Sequence, residues 1–179
     1  MAFNPEVHHR RSIRLQGYDY SGEGAYFVTI CSYKRECIFS TVGAGLASAL
    51  HSKPIIQLKD PGKIILKIWN KIPERFENVL IDDLVIMPNH IHGILFIEKS
   101  DKRVDARPTP TLGDIICSFK SECVTEYFKY IKDNNLLSSC KIWQRNYYEH
   151  IIRNDRELNT YRRYILNNPG KWEEDEYFT

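Results

Sequence analysis

The chain has 179 residues, of which 42% are apolar and 12% aromatic, and its formal net charge is +2. This length and composition predict one domain with a proper hydrophobic core. No apolar run is long enough to cross a bilayer, the polar and basic N-terminus does not resemble a secretory signal, and the small net charge does not by itself require a nucleic-acid partner.

The five cysteines form no C-x-x-C pair. An odd number without zinc-type spacing indicates reduced thiols in a cytoplasmic protein, where we expect all five to be small buried apolar residues. The charges are unevenly distributed, because four acids lie within the last seven residues and residues 8–14 are basic. We therefore expect a single domain over residues 1–179, with a basic lead-in at 1–22 and an acidic tail at 171–179.

The first predicted elements are a strand and a helix. Residues 25–33 are rich in aromatic and β-branched side chains, which is typical of a strand. Residues 40–56 mix small residues with Gly and Pro and predict a surface excursion. Across residues 61–76, apolar side chains recur at spacings of three and four, which predicts an amphipathic helix that Pro73 ends or kinks.

Two further strands are predicted on either side of Pro88 and Asn89. Residues 79–87 and 90–98 both have strand character. The intervening dipeptide makes them either an antiparallel pair with a tight connection or one strand broken by a bulge. Residues 99–110 are charged and contain Pro, which predicts a loop.

A long helix and a last strand follow. Thr111 or Asp114 is placed to cap a helix that runs to about residue 131. A polar loop over residues 133–139 then precedes the last predicted strand, residues 141–153, which holds several strand-forming side chains.

The final helix is predicted to begin at Asn154, because Glu157 three residues later gives a pattern that resembles a capping box. Pro169 disfavours helical geometry at Asn168, so the helix should end near that residue. The resulting order, β-α-β-β-α-β-α, predicts an α+β fold of the split β-α-β type, with an antiparallel sheet and helices packed on one face.

His90 and His92 are the first candidate metal ligands. Successive side chains of a strand alternate between faces, so both imidazoles point to one side and Ile91 points into the opposite layer. Two neighbouring imidazoles can hold one metal ion. The pattern alone is weak evidence, because two partly buried histidines on a sheet face would produce it as well.

The final helix provides the context for these histidines. Tyr164 and Asn168 are four residues apart and share a helix face. If that face lies beside the histidines, Asn168 can offer its carbonyl oxygen as a third ligand, and oxygen with imidazole suits Mg²⁺ or Mn²⁺. Tyr164 would then be a nucleophile for the phosphorus of a nucleic-acid backbone. Tyr161 is its nearest rival, although the spacing to Ile165 places it in the apolar stripe.

Eight segments together form a specific pattern that covers most of residues 8–170. They are residues 10–14, 18–20, 24–31, 87–93 (MPNHIHG), 112–116, 118–121, 142–153 and 164–169 (YILNNP). In these segments the chain resembles the single-tyrosine HUH transposases of insertion sequences, most closely the REP-associated tyrosine transposases.

The resemblance implies a function and a site. His90 and His92 would bind a divalent cation, Mg²⁺ or Mn²⁺, Asn168 would complete the metal site, and Tyr164 would be the nucleophile. The activity implied is cleavage and rejoining of single-stranded hairpin DNA through a 5′-phosphotyrosine intermediate. The fold implied is ferredoxin-like or RRM-like, and the protein would be a monomer or a homodimer.

Further side chains are candidate DNA contacts. Basic side chains could hold phosphates and aromatic side chains could stack on unpaired bases, although structural roles are open for all of them. The basic candidates are Arg10, Arg11, Arg14, Lys120 and Arg153. The aromatic candidates are Trp143, Tyr147 and Tyr148.

Two alternative functions stay open at this point. The chain could be a domesticated protein that binds DNA or RNA hairpins and no longer cleaves them. It could also be a metal-dependent nuclease that uses water, which accounts for the histidines but leaves Tyr164 without a role.

Overall fold

The computed structural model describes residues 15, 17–43, 55–99, 109–137, 139 and 141–178. The predictions for Arg10, Arg11 and Arg14, for most of the 99–110 loop and for Cys140 concern residues outside these ranges. The single domain over residues 1–179 stays a prediction.

The described residues form six strands, four α-helices and two 3-10 segments. The strands are β1 (Gly24–Cys31), β2 (Ser40–Gly43), β3 (Ile55–Leu58), β4 (Val79–Ile86), β5 (His90–Ile97) and β6 (Tyr148–Ile152). The α-helices are α1 (Asp60–Trp69), α2 (Ile72–Arg75), α3 (Leu112–Asp133) and α4 (Asp155–Asn167). The 3-10 segments are Tyr33–Arg35 and Asn168–Glu174. None of the helices in these ranges has the length and apolar character that a bilayer crossing requires.

Four strands pair into one antiparallel sheet in the order β4-β5-β1-β6. Helices connect β1 to β4 and β5 to β6, so each half of the fold is a strand, a helix and a strand. This strand order and connection confirm the predicted α+β fold of the ferredoxin-like type. β4 and β5 form an antiparallel pair joined at Pro88 and Asn89, as one of the two sequence readings required.

Helices cover both faces of the sheet, whereas the sequence predicted them on one. α1 and α3 pack on the face that carries Ile91 and Leu95, and together they form the larger apolar cluster. α4 packs on the other face, where Ile165 meets Phe27 and Ile94 in a smaller cluster. Because β5 is buried on both faces, the histidine side of the sheet also needs a cover, and α4 provides it.

Gly93, directly after the second histidine, allows α1 to approach the sheet. A Cβ atom built at this position would lie 2.5 Å from two ring carbons of Trp69. Trp69 is almost fully buried, so its ring has no open space into which it could move. The glycine therefore serves packing on the face opposite to the histidines.

Two helices differ from their predicted extents. The predicted helix over residues 61–76 is interrupted at Asn70 and Lys71, just before Pro73, and continues as the short helix α2. α4 ends at Asn167, but Asn168 keeps helical dihedral angles in spite of Pro169 and begins the 3-10 segment that follows. This 3-10 segment, Asn168–Glu174, carries the chain back toward the sheet.

The other differences concern strands. Residues 40–43 and 55–58 pair as an antiparallel ribbon, so the ends of the predicted surface excursion are strands. The strand predicted over residues 141–153 begins only at Tyr148, and Trp143 makes an isolated bridge to Ser32. The capping residues were predicted correctly: Thr111 and Asp114 form a capping box, and Asn154 accepts a hydrogen bond from the Glu157 amide.

Candidate metal centre and tyrosine nucleophile

His90 and His92 lie side by side on the α4 face of β5, and both are almost completely buried. Their Nε2 atoms are 3.0 Å apart. Two neighbouring ligands of an octahedral ion, each about 2.1 Å from it, are separated by about 3.0 Å. The spacing of the two imidazole nitrogens therefore fits one shared cation.

Neighbouring side chains hold both imidazoles through their other nitrogen. Asn89 Oδ1 lies 2.9 Å from His90 Nδ1, and Thr29 Oγ1 lies 2.8 Å from His92 Nδ1. The Asn89 amide donates from Nδ2 to the carbonyl oxygen of Tyr177, which turns its oxygen toward the imidazole. His90 therefore donates from Nδ1 and keeps the lone pair of Nε2, the form that binds a metal.

Burial keeps both histidines neutral. It lowers the pKa of His90 to about 3, and the charge of Arg35 contributes in the same direction. Burial also lowers the pKa of His92 to about 3, helped by His90 and opposed by Asp175. Neutral imidazoles are metal ligands at neutral pH, so the fold holds this pair ready for a cation.

The candidate oxygen ligands come from the 3-10 segment that follows α4 and from the residue directly after it. Asn168 is buried and donates from Nδ2 to Asp175 Oδ2 at 2.8 Å. Its Oδ1 has no hydrogen-bond partner among the described residues, which is costly for a buried carbonyl. A bound cation would give that oxygen a partner, which is consistent with the prediction that Asn168 is a third metal ligand.

Asp175 is a further candidate ligand that the sequence did not predict. Its Oδ2 lies 4.0 Å from His90 Nε2, and its carboxylate groups with His90 and His92 so that ligand atoms of all three lie within 4.8 Å of one another. The Tyr177 amide donates to Asp175 Oδ1 at 2.8 Å and holds the carboxylate in place. Two imidazoles with carboxylate and amide oxygens form a donor set that suits a divalent cation.

Tyr164 reaches the same point from α4. Its hydroxyl oxygen lies 3.4 Å from His92 Nε2, and the side chain is 40% exposed. Burial raises the pKa of Tyr164 to about 12, with smaller contributions from the charges of Asp175 and Glu176, while a hydrogen bond from Asn168 opposes the rise. At neutral pH the group is therefore a phenol.

Tyr161 points away from the histidine pair. Its ring stacks on Phe27 with centroids 4.4 Å apart and packs against His150 with centroids 5.0 Å apart. It is thus part of the apolar contact between α4 and the sheet, as its spacing to Ile165 predicted. Of these two tyrosines, only Tyr164 has its hydroxyl beside the histidine pair.

Two predicted DNA contacts have structural roles here. Lys120 donates from Nζ to the carbonyl oxygens of residues 144, 145 and 146, at 2.7, 3.0 and 3.4 Å, and so holds the segment before β6. Trp143 is only 6% exposed and packs between Phe39 and Phe119, which leaves no ring face for a base. Arg153 is exposed beside Glu157 and stays a predicted contact.

Comparisons of the sequence with known proteins relate the chain to two proteins of Haemophilus influenzae. No profile of a known protein family matches the chain. An uncharacterized protein of Haemophilus influenzae is 38% identical over 189 residues, which cover 98% of this chain and 97% of that protein. A second Haemophilus influenzae protein, provisionally named a REP-associated tyrosine transposase, is 30% identical over 96 residues, about half of either chain.

The fold also has a solved counterpart, described as a REP-associated tyrosine transposase bound to a REP hairpin. It superposes with a TM-score of 0.52 at 19% identity and covers 88% of this chain and 73% of its own. An identity this low supports the likeness of fold only. The chain belongs to the same family as the first Haemophilus influenzae protein. It is similar to the REP-associated tyrosine transposases in two respects: the match to the second protein over about half of its length, and the shared fold.

Proposed function

We propose that the protein is a metal-dependent DNA strand-transferase that cleaves and rejoins single-stranded DNA through a covalent bond to Tyr164. One observation carries the proposal: the phenolic oxygen lies 3.4 Å from an imidazole nitrogen that itself lies 3.0 Å from a second imidazole nitrogen. A nucleophile and the ligands for a cation are thus combined in one small volume.

The proposed substrate is a DNA hairpin with an unpaired flank. Support comes from the solved relative, which is described as bound to a REP hairpin. The half-exposed ring of Tyr164 suits this substrate, because an unpaired strand can bring a phosphate to a tyrosine at the surface. A phosphate inside a rigid duplex has less freedom to do so.

The reaction exchanges one phosphate ester for another. The Tyr164 oxygen attacks phosphorus, and the bond from phosphorus to the 3′ oxygen breaks. The phenolic proton is lost to water, and the leaving 3′ oxygen takes a proton from water. The products are a 5′-phosphotyrosine and a strand with a free 3′-hydroxyl. A 3′-hydroxyl can later attack the phosphotyrosine, so the same residue supports joining.

His90, His92, Asn168 and Asp175 are the groups that would hold Mg²⁺ or Mn²⁺. A cation held there would supply polarisation of a phosphate oxygen and would stabilise the charge that develops during attack. Because Asn168 bonds to Asp175 and also lowers the pKa of Tyr164, it links the nucleophile to the oxygen ligands. A loss of Asn168 should therefore affect both metal binding and attack.

Two conservative variants test the proposal. We expect Tyr164→Phe to abolish the covalent protein–DNA adduct that the native chain forms with single-stranded DNA from its gene's own flanks in the presence of Mn²⁺. Tyr161→Phe is the matched control, one turn earlier on α4, and should still form the adduct. A denaturing gel with labelled DNA detects the adduct.

Other outcomes identify the alternatives. An adduct that survives Tyr164→Phe would move the nucleophile to another residue and contradict the proposal. Free 5′-phosphate products without an adduct would indicate a nuclease that uses water. Hairpin binding without any cleavage, across many hairpins and both metals, would indicate a domesticated binding protein.

A further inference from the structure

A pocket of about 410 Å³ opens on the sheet face that carries the histidines, between β6 and α4. Phe27 and Thr29 of β1 form its floor, and both side chains are buried. Its volume lies within the range of small-molecule pockets, which is roughly 300–1,000 Å³. The pocket is separate from the cluster of metal-binding candidates, and the proposed reaction does not use it.

Aromatic side chains form much of the pocket wall. Tyr148 and His150 contribute from β6, and Tyr161 contributes from α4. Tyr148 is 49% exposed, so its ring presents a surface to solvent at the pocket mouth. Exposed aromatic rings beside a pocket are the usual platform for stacking an unpaired base.

The opposite wall carries polar groups of both signs. It consists of Arg35, Glu176 and Tyr177, and the remaining lining residue, Glu149 of β6, adds a second carboxylate to the pocket. Arg35 lies with its guanidinium 5.1 Å from the centre of the Tyr177 ring and donates to the carbonyl oxygen of Glu176. Guanidinium donors and a carboxylate acceptor on one wall match a base edge, which presents donors and acceptors together.

The pocket adjoins the proposed reaction centre at two points. Thr29, in the floor, lies 2.8 Å from His92 Nδ1 through its hydroxyl. Phe27, also in the floor, contacts the edge of the Tyr164 ring, with centroids 5.8 Å apart. A molecule in the pocket therefore lies beside any phosphate that Tyr164 attacks.

From this arrangement we infer that the pocket binds a single unpaired nucleotide of the DNA strand, adjacent to the phosphate that is cleaved. The base stacks against the aromatic wall and its edge faces Arg35 and Glu176. This inference deepens the proposed function, on which its biological role rests. It assigns Tyr148 a role in positioning the strand, separate from the chemistry of Tyr164.

Binding of free nucleotides tests the pocket without any cleavage. The four deoxynucleoside 5′-monophosphates are titrated one at a time into the full chain, and the ring-proton NMR signals of His150 are followed, with His150→Gln used to assign them. We expect at least one nucleotide to give a saturable shift. Tyr148→Ala should weaken that binding about fivefold or more, because base stacking on an aromatic ring is worth that much or more.

Two control variants separate stacking from general damage. Tyr148→Phe keeps the ring and should retain the affinity. Phe128→Ala removes an equally exposed aromatic side chain from α3, outside the pocket, and should retain it as well. Tyr164→Phe should also keep nucleotide binding, because the pocket does not depend on the phenol.

The outcomes distinguish the pocket from the reaction. If no nucleotide shifts the His150 signals while the Tyr164-dependent adduct forms, nucleotide binding in the pocket is overturned and the proposed function stands. If nucleotides bind in the pocket but no adduct forms under any condition, the pocket stands and the transfer reaction fails. Binding that Tyr148→Ala leaves unchanged overturns the stacking role.

Discussion

At the scale of residues, the Thr29 hydroxyl is one group on which the geometry of the candidate metal site depends. It holds His92 Nδ1 at 2.8 Å, and so orients the opposite nitrogen toward His90. Groups that orient a metal-binding imidazole in this way commonly change metal affinity when they are removed. The sequence did not reveal Thr29, because it lies 63 residues from His92 and only the register of β1 with β5 pairs the two.

Replacement of Thr29 by valine should weaken Mn²⁺ binding by about 10-fold to 100-fold, because the side chain keeps its shape but loses the oxygen that orients His92. Isothermal titration of the metal-free chain with Mn²⁺ measures this. Thr29→Ser keeps the hydroxyl and is the matched control, so its affinity should stay close to that of the native chain. Equal affinity in the valine variant would show that the imidazole is oriented without the bond.

The candidate ligands differ in how far the sequence could predict them. The shared direction of His90 and His92 follows from the two-residue period of a strand, and the shared helix face of Asn168 and Tyr164 follows from their four-residue spacing. The roles of the two histidines and Asn168 as ligands were implied by the family resemblance. Asp175 does not follow from any local period, because it lies in an acidic run that is usually solvated. It becomes a candidate ligand only through the 3-10 segment that returns the chain to the sheet.

At the scale of elements, the position of α4 decides whether the proposed nucleophile Tyr164 lies beside the candidate metal ligands. Arg162 fixes the helix to β4: its Nε donates to Asp82 Oδ2 at 2.9 Å, and its terminal nitrogen donates to the same oxygen. Asp82 lies in the β4 bulge, where the register with β5 shifts between Ile81 and Leu84. Because Arg162 precedes Tyr164 by only two residues, this contact sets the distance between the phenol and the sheet.

Arg162→Ala should slow adduct formation by about 10-fold to 100-fold with little loss of DNA affinity, because small displacements of a reacting group have effects of that size. Single-turnover rates at saturating DNA, with a separate binding titration, distinguish the two quantities. Arg163→Ala is the matched control, since that side chain is exposed and donates only to Asn159 of its own helix among the contacts described.

An exchange of the two charges gives the sharper version of this test. The double variant Asp82→Arg, Arg162→Asp can re-form the ion pair in the opposite sense and should recover part of the lost rate. If DNA affinity falls and the exchange recovers nothing, Arg162 contacts DNA and does not position α4.

The sequence predicted the ends of helices and strands where local hydrogen bonds determine them, and it failed where contacts between residues distant in the sequence determine them. The caps of α3 and α4 are short-range hydrogen bonds between residues three apart, and the sequence is sufficient to predict them. Just before β6, Lys120 of α3 donates to the carbonyl oxygens of three successive residues, 144 to 146. Propensity alone extended that strand across residues 141–147, because it contains no information on such a contact.

For the whole molecule, the order of elements was sufficient to predict the sheet, but not which helices cover each of its two faces. A split β-α-β order leaves few possible strand arrangements, and the observed order is one of them. The face that α4 covers follows from β5, whose side chains are buried on both sides. That burial places two histidines in the smaller apolar layer, where neutral imidazoles are favoured over charged ones.

The buried histidines should make the stability of the metal-free protein depend on pH in a defined window. In the folded state the pKa values of His90 and His92 are about 3, below the ordinary value of 6.5. Between these values the unfolded chain binds more protons than the folded chain, so stability is fully present above pH 6.5 and falls as the pH decreases toward 3. Carboxyl groups such as Glu157, whose pKa is lowered from an ordinary 4.5, titrate mainly below pH 5.

Urea unfolding in EDTA between pH 5 and 6.5 should therefore show a free energy of unfolding that rises with pH, by up to about 1.4 kcal/mol per pH unit for each of the two histidines. His92→Asn removes one titrating group and keeps an amide near Thr29, so it should reduce the slope by about half. Thr29→Ser is the control, because it alters the same contact without removing a titrating group and should keep the slope. A native protein whose stability is flat across this window would mean that water or a charge partner stabilises the imidazolium, and the neutral pair would no longer describe the site.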